Sequence, residues 1–136
     1  MSPSTTDKNV RPTILVVDDE ANIRLVAKRI LEQAGYDVTE ASNGLEAIEL
    51  LGRGPVPDLL MADLDMPGLR GEDMAQRIRR TEPDLKVLYV TGRIDRLMDQ
   101  RPVLWEGEAF LEKPFSRTGL LEAVAMLLYG TLKKPE

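Results

Sequence analysis

With 136 residues, 43% of them hydrophobic, and no internal repeat, the chain has the length and apolar content for one domain with a buried core and no room for a second. A formal net charge of -5 and a sequence pI near 4.9 argue against a nucleic-acid binder, which would concentrate Lys and Arg on one face. Cys and His are both absent, which removes disulfides, thiol chemistry and any imidazole base, metal ligand or phosphate carrier; chemistry here rests on carboxylates, hydroxyls and amines.

The polar opening MSPSTTDKNVRP lacks the apolar core of a signal peptide, and no stretch reaches the length of a membrane span. Residues 1–10 are therefore expected to form a flexible lead, and the protein to be cytoplasmic, with no membrane partner. Thr13 to Val17, TILVV, is a short apolar run rich in β-branched residues, which predicts a strand buried on both faces. After Asp18, Asp19 and Glu20, apolar residues recur at Ile23, Val26, Ala27, Ile30, Leu31 and Ala34, the spacing of one helical face, and Gly35 stands where a C-terminal cap belongs. Tyr36 to Ala41 alternates and predicts an edge strand. After the SNG turn, Leu45, Ile48 and Leu51 mark a second helix that ends before the loop GRGPVP.

DLLMAD predicts a third strand, Gly71 to Arg80 a helix with Met74, Ala75 and Ile78 on one face, Leu85 to Thr91 a fourth strand and Ala109 to Leu111 a fifth. The intervening residues 92–108 are expected to hold a short helix interrupted by Pro102 and ended by Gly107. Thr118 to Tyr129 closes the chain as a helix. The domain is expected to span 11–130, followed by a tail over 131–136.

Strands and helices that alternate with short connections imply a parallel sheet covered by helices on both faces, whose ligands bind beyond the carboxyl ends of the strands. Asp18 and Asp19 follow the first strand, Asp63 ends the third, Thr91 ends the fourth, and the fifth leads to Lys113. Carboxylates gathered this closely repel one another unless a cation relieves them, and Mg²⁺ suits a site of few carboxylates that keeps waters for a phosphate to replace. Asp18 and Asp19 would hold the ion, with the backbone carbonyl of Asp65 completing the set. Thr91 can donate to a phosphoryl oxygen and Lys113 can pair with another, which leaves Asp63 free to act as the nucleophile of aspartyl-phosphate chemistry.

The motifs LVVDDE, ASNGLEAIELL, PDLLMADLDMPGLRGEDMAQRIR, VLYVTG and FLEKPF, in this order and at these intervals, resemble the response-regulator receiver domains of two-component signalling over about Arg11 to Gly130. The resemblance implies a doubly wound, flavodoxin-like α/β domain with five parallel strands in the order 2-1-3-4-5. It implies Asp63 as phosphoacceptor, with a histidine kinase or histidine phosphotransfer protein as donor. The acidic pair at the Mg²⁺ site would be Asp18 and Asp19, the switch hydroxyl Thr91 and the phosphate-binding lysine Lys113. Lys113–Pro114 looks like the family's cis peptide, and Phe110 falls at the aromatic switch position, without the phenol that a Tyr would bring. By the same resemblance, Asp65 and Arg93 would occupy the positions that flank the hydrolytic water and tune dephosphorylation. The wording VTGR and FLEKPF is similar to receivers attached to hybrid histidine kinases.

Each residue also has a plain reading: Asp18, Asp19 and Glu20 as caps favoured by the helix dipole, Asp63 and Asp65 as turn residues, Thr91 as a β-former, Lys113 as a solvated cation. None of these explains their arrival at one sheet edge. A second functional class is a Mg²⁺-dependent phosphatase of haloacid-dehalogenase type, with Asp63 as nucleophile and Asp65 as general acid. In the last helix, Leu120, Leu121, Val124, Leu127 and Leu128 suffice for a core face. Ala125, Met126 and Tyr129 are expected to form an apolar outer face that meets a downstream protein or a second copy of the chain.

Overall fold

The computed structural model describes residues 11–93 and 107–131. The expected flexible lead, the short helix within 92–108 and nearly all of the expected tail fall outside these residues. Among them the chain runs β1 (Thr13–Val17), α1 (Ala21–Gln33), β2 (Asp37–Ala41), α2 (Gly44–Arg53), β3 (Leu59–Asp63), α3 (Gly71–Thr81), β4 (Lys86–Thr91), β5 (Glu108–Glu112) and α4 (Arg117–Tyr129). All strand pairs are parallel, and the order across the sheet is β2-β1-β3-β4-β5, as the resemblance implied.

The period of two along each strand divides the core in two. Leu15 and Val17 of β1, Leu60 and Ala62 of β3 and Val87 and Tyr89 of β4 face Ala47 of α2 and Met74, Ala75 and Ile78 of α3. Their neighbours Ile14, Val16, Leu59, Met61, Leu88 and Val90 face Ala27 and Leu31 of α1 and Leu120 and Val124 of α4. The central strand β3 is buried at every position, which is why its sequence is apolar without alternation until Asp63. At the edge, β2 alternates because one of its faces meets solvent. Gly130 ends α4 in the left-handed region at φ 71°, where a side chain would be strained.

Three expectations are corrected. Val26 is 48% exposed, because α1 reaches the sheet through the narrow stripe of Ala27 and Leu31. Leu45 is 65% exposed, since it lies two residues before Ala47, about 200° around the helix from the residue that faces the core. Of the three residues expected on the outer face of α4, Ala125 is buried and Tyr129 is half-buried beside Tyr36, to which it is hydrogen-bonded, leaving Met126 alone exposed at 44%. α4 packs against α1 as well as against the sheet, so its covered arc is wider than a stripe facing one layer.

Candidate functional site

The carboxyl ends of β1, β3 and β4 bring their terminal polar residues into the interior: Asp18, Asp63 and Thr91 are all buried. Lys113, one residue past β5, reaches back between the two acids. Its Nζ lies 3.0 Å from Asp18 Oδ2 and 3.4 Å from Asp63 Oδ1. The Lys113–Pro114 peptide is cis, and the Lys113 amide donates to the Thr91 carbonyl at 2.8 Å, which fixes the end of β5 against β4.

Every polar atom of Asp18 is held. Its amide donates to the Ala41 carbonyl at 3.2 Å, its Oδ1 accepts from the Glu20 amide at 2.9 Å, and its carbonyl accepts from Arg24 Nη1 at 2.6 Å. Arg24 is itself held by Glu40 of β2 at 3.4 Å. Asp19 is exposed, and Asp18, Asp19 and Glu20 each offer a carboxylate oxygen within 4.8 Å of the others. Asp63 Oδ1 accepts from the Asp65 amide at 2.9 Å. Asp65 is exposed, and its Oδ2 accepts from the Thr91 hydroxyl at 3.1 Å and from the Gly92 amide at 3.3 Å, while the Arg93 amide donates to Thr91 Oγ1 at 3.0 Å.

Charge at this edge is unbalanced. Burial raises the Asp63 carboxyl to about 6; the Asp65 amide opposes this, Asp18 adds to it, and Lys113 opposes it. For Lys113, burial pulls the ammonium down, but Asp18 and Asp63 outweigh burial and the net shift is upward. One ammonium thus shares two buried carboxylates, with Asp19 and Glu20 beside them. The donor atoms are oxygens throughout, the set that a hard divalent cation takes.

The residues expected at the site therefore gather as Asp18, Asp63, Lys113, Asp65 and Thr91, with Asp19 at the rim and the Arg93 backbone attached to Thr91. Phe110 meets an aromatic ring: it stacks on Tyr89, with centroids 5.4 Å apart. Sequence reasoning missed Arg24, whose long side chain folds back to the β1 end, and no spacing rule marks such a contact. It also missed Gly71. A Cβ there would lie 2.3 Å from the Asp63 carbonyl oxygen, so glycine lets α3 start against the end of β3.

A doubly wound parallel sheet with a carboxylate pair, a lysine and a hydroxyl converging at its carboxyl edge defines the class of α/β domains whose ligands bind beyond the carboxyl ends of the strands. A model of the family described as "Response regulator receiver domain" matches residues 14–125, and the chain belongs to this family of two-component signalling domains. The chain is 33% identical over 124 residues to the sensor kinase CckA of Brucella abortus, spanning 90% of this chain but 13% of that protein. It is 32% identical over 112 residues to the chemotaxis protein CheY of Thermotoga maritima, spanning 82% of this chain and 92% of that one. Among solved structures, a response regulator receiver protein from Sinorhizobium medicae superposes with a TM-score of 0.75 at 33% identity, covering 87% of this chain and 94% of that one. This membership displaces the haloacid-dehalogenase alternative. Asp65, the acid which that alternative requires, is engaged by Thr91 and Gly92.

Proposed function

We propose that this receiver domain, over residues 11–130, accepts a phosphoryl group on Asp63 from the phosphohistidine of a histidine kinase or histidine phosphotransfer protein, in a Mg²⁺-dependent reaction. The observation that carries this reading is the sharing of one ammonium by two buried carboxylates, with Lys113 3.0 Å from Asp18 and 3.4 Å from Asp63. Asp18 and Asp19, an oxygen of Asp63 and the backbone carbonyl of Asp65 are the donors for the ion. When bound, Mg²⁺ neutralises charge on the incoming phosphoryl oxygens.

The chain's own residues do the rest. An Asp63 oxygen attacks phosphorus, and the bond from phosphorus to the donor nitrogen breaks, its electron pair leaving with the donor. Lys113 pairs with one phosphoryl oxygen. Thr91 turns its hydroxyl from Asp65 to another, and that movement, with Phe110, alters the face offered to a downstream protein. Asp65 and Arg93 flank the approach of the hydrolytic water and set the lifetime of the acyl phosphate. The chain turns over no external substrate; it catalyses its own phosphorylation and dephosphorylation. Because these 136 residues include no His, the donor lies outside them.

Intact mass followed after adding Mg²⁺ and phosphoramidate tests the reading. The native protein is expected to gain one phosphoryl group and lose it slowly, and Asp63→Asn to gain none. Equal gain by both, or gain by neither, would overturn it.

A further inference from the structure

Below the site, the face of the sheet that carries Thr91 holds a buried polar chain that the proposed chemistry does not use. The parallel register pairs Val87 with Glu108, Tyr89 with Phe110 and Thr91 with Glu112, so Tyr89, Glu108 and Phe110 lie on the same face as Thr91. The Glu108 side chain is 1% exposed. Its Oε2 accepts from the Tyr89 hydroxyl at 3.0 Å and lies 3.6 Å from Arg79 Nη1 of α3. Arg79 is anchored in turn, donating to the Leu85 carbonyl from Nε at 3.2 Å and Nη2 at 2.7 Å, and to the Gly107 carbonyl from Nη2 at 3.4 Å. At the other end of the chain, the Tyr89 ring stacks on Phe110 at 5.4 Å with an interplanar angle of 28°.

A carboxylate this deeply buried is retained against a large loss of hydration, and it holds its place through its partners. Phe110 has no hydroxyl, so no polar group on its own ring defines where it rests; Tyr89, directly opposite on β4, carries one. We infer that Glu108, with Arg79 behind it, fixes the Tyr89 ring through its hydroxyl and thereby sets the resting position of Phe110. Tyr89 and Glu108 are positioning residues for the aromatic switch, and α3 is joined to that switch through Arg79. This deepens the reading of Phe110 as a switch residue and rests on it. Loosening Tyr89 weakens the resting arrangement, so a ligand that favours the displaced one binds more tightly by the same factor.

The test uses the full chain labelled with 4-fluorophenylalanine, whose two Phe, Phe110 and Phe115, give two ¹⁹F signals, with Phe115 as internal control. Tyr89→Phe removes the hydroxyl and keeps the ring. Without added ion, its Phe110 signal is expected to shift while that of Phe115 stays. With Mg²⁺, beryllofluoride is expected to bind about twofold to tenfold more tightly than to the native protein, the range of one net hydrogen bond, with affinity for Mg²⁺ alone unchanged. Glu108→Gln, which keeps an acceptor and removes the charge facing Arg79, is expected to move both readouts in the same direction by less; it replaces Tyr89→Phe should that variant fail to fold. An unmoved Phe110 signal, or a moved signal with unchanged beryllofluoride affinity, overturns the inference. If the native protein binds no beryllofluoride, the phosphoacceptor reading fails, and the Phe110 signal without ion still decides whether Tyr89 positions the ring.

Discussion

Asp63 carries charge under opposing influences. Burial lifts its carboxyl to about 6, the Asp65 amide and the Lys113 ammonium pull down, and Asp18 pushes up. An unfolded Asp titrates at about 3.9, so between about pH 4 and pH 6 the ion-free folded protein binds more protons than the unfolded chain. Its stability must therefore fall as pH rises through that window and level off above it. Asp63→Asn lacks this group. Followed by thermal unfolding in chelator, the variant is expected to gain on the native protein from about pH 4 to pH 6 and to hold the advantage at pH 7; a gap independent of pH would contradict the assigned burial of charge. The neighbouring Asp18 shows what keeps such residues in place: each of its polar atoms has a partner, one of them supplied by Arg24 from the following helix.

At the scale of elements, the helices divide by what precedes them. α2 and α4 begin with side-chain caps: Asn43 accepts from the Glu46 amide at 2.8 Å while Glu46 reaches back to the Ser42 amide at 2.8 Å, and Ser116 accepts from the Gly119 amide at 2.9 Å. α1 and α3 follow the strands that end in the site's acids. Their N-cap residues, Glu20 and Arg70, make no side-chain cap hydrogen bond. The two helices without a side-chain cap are thus those that directly follow the strand ends bearing Asp18 and Asp63. Asn43→Ala is expected to cost about 1 kcal/mol in urea unfolding. A cost near zero would mean that packing of Ala47 and Ile48 holds α2 without its cap.

For the whole molecule, the sheet converts chain order into proximity: residues 18, 63, 91 and 113 meet because parallel strands end on one side. Mg²⁺ bound at that edge, as proposed, would link the site to global stability. At a free concentration one hundred times its dissociation constant it should stabilise the native fold by about 2.7 kcal/mol, and Asp18→Asn should abolish most of this gain in thermal unfolding. The sequence by itself determined the elements, since apolar runs and 3.6-residue periodicity mark β1, β3, β4 and the inner face of α3. It also named Asp18, Asp63, Thr91 and Lys113, because strand ends in a parallel sheet are where ligand groups collect. Tertiary structure decided what depends on which surfaces meet. Leu45 and Val26 are apolar yet exposed, Ala125 is covered, and Glu108, which no sequence pattern singled out, is buried with Tyr89 and Arg79 beside it from β4 and α3. Periodicity along one segment fixes which residues share a face; only the packing of separate segments fixes how much of that face is covered and by what.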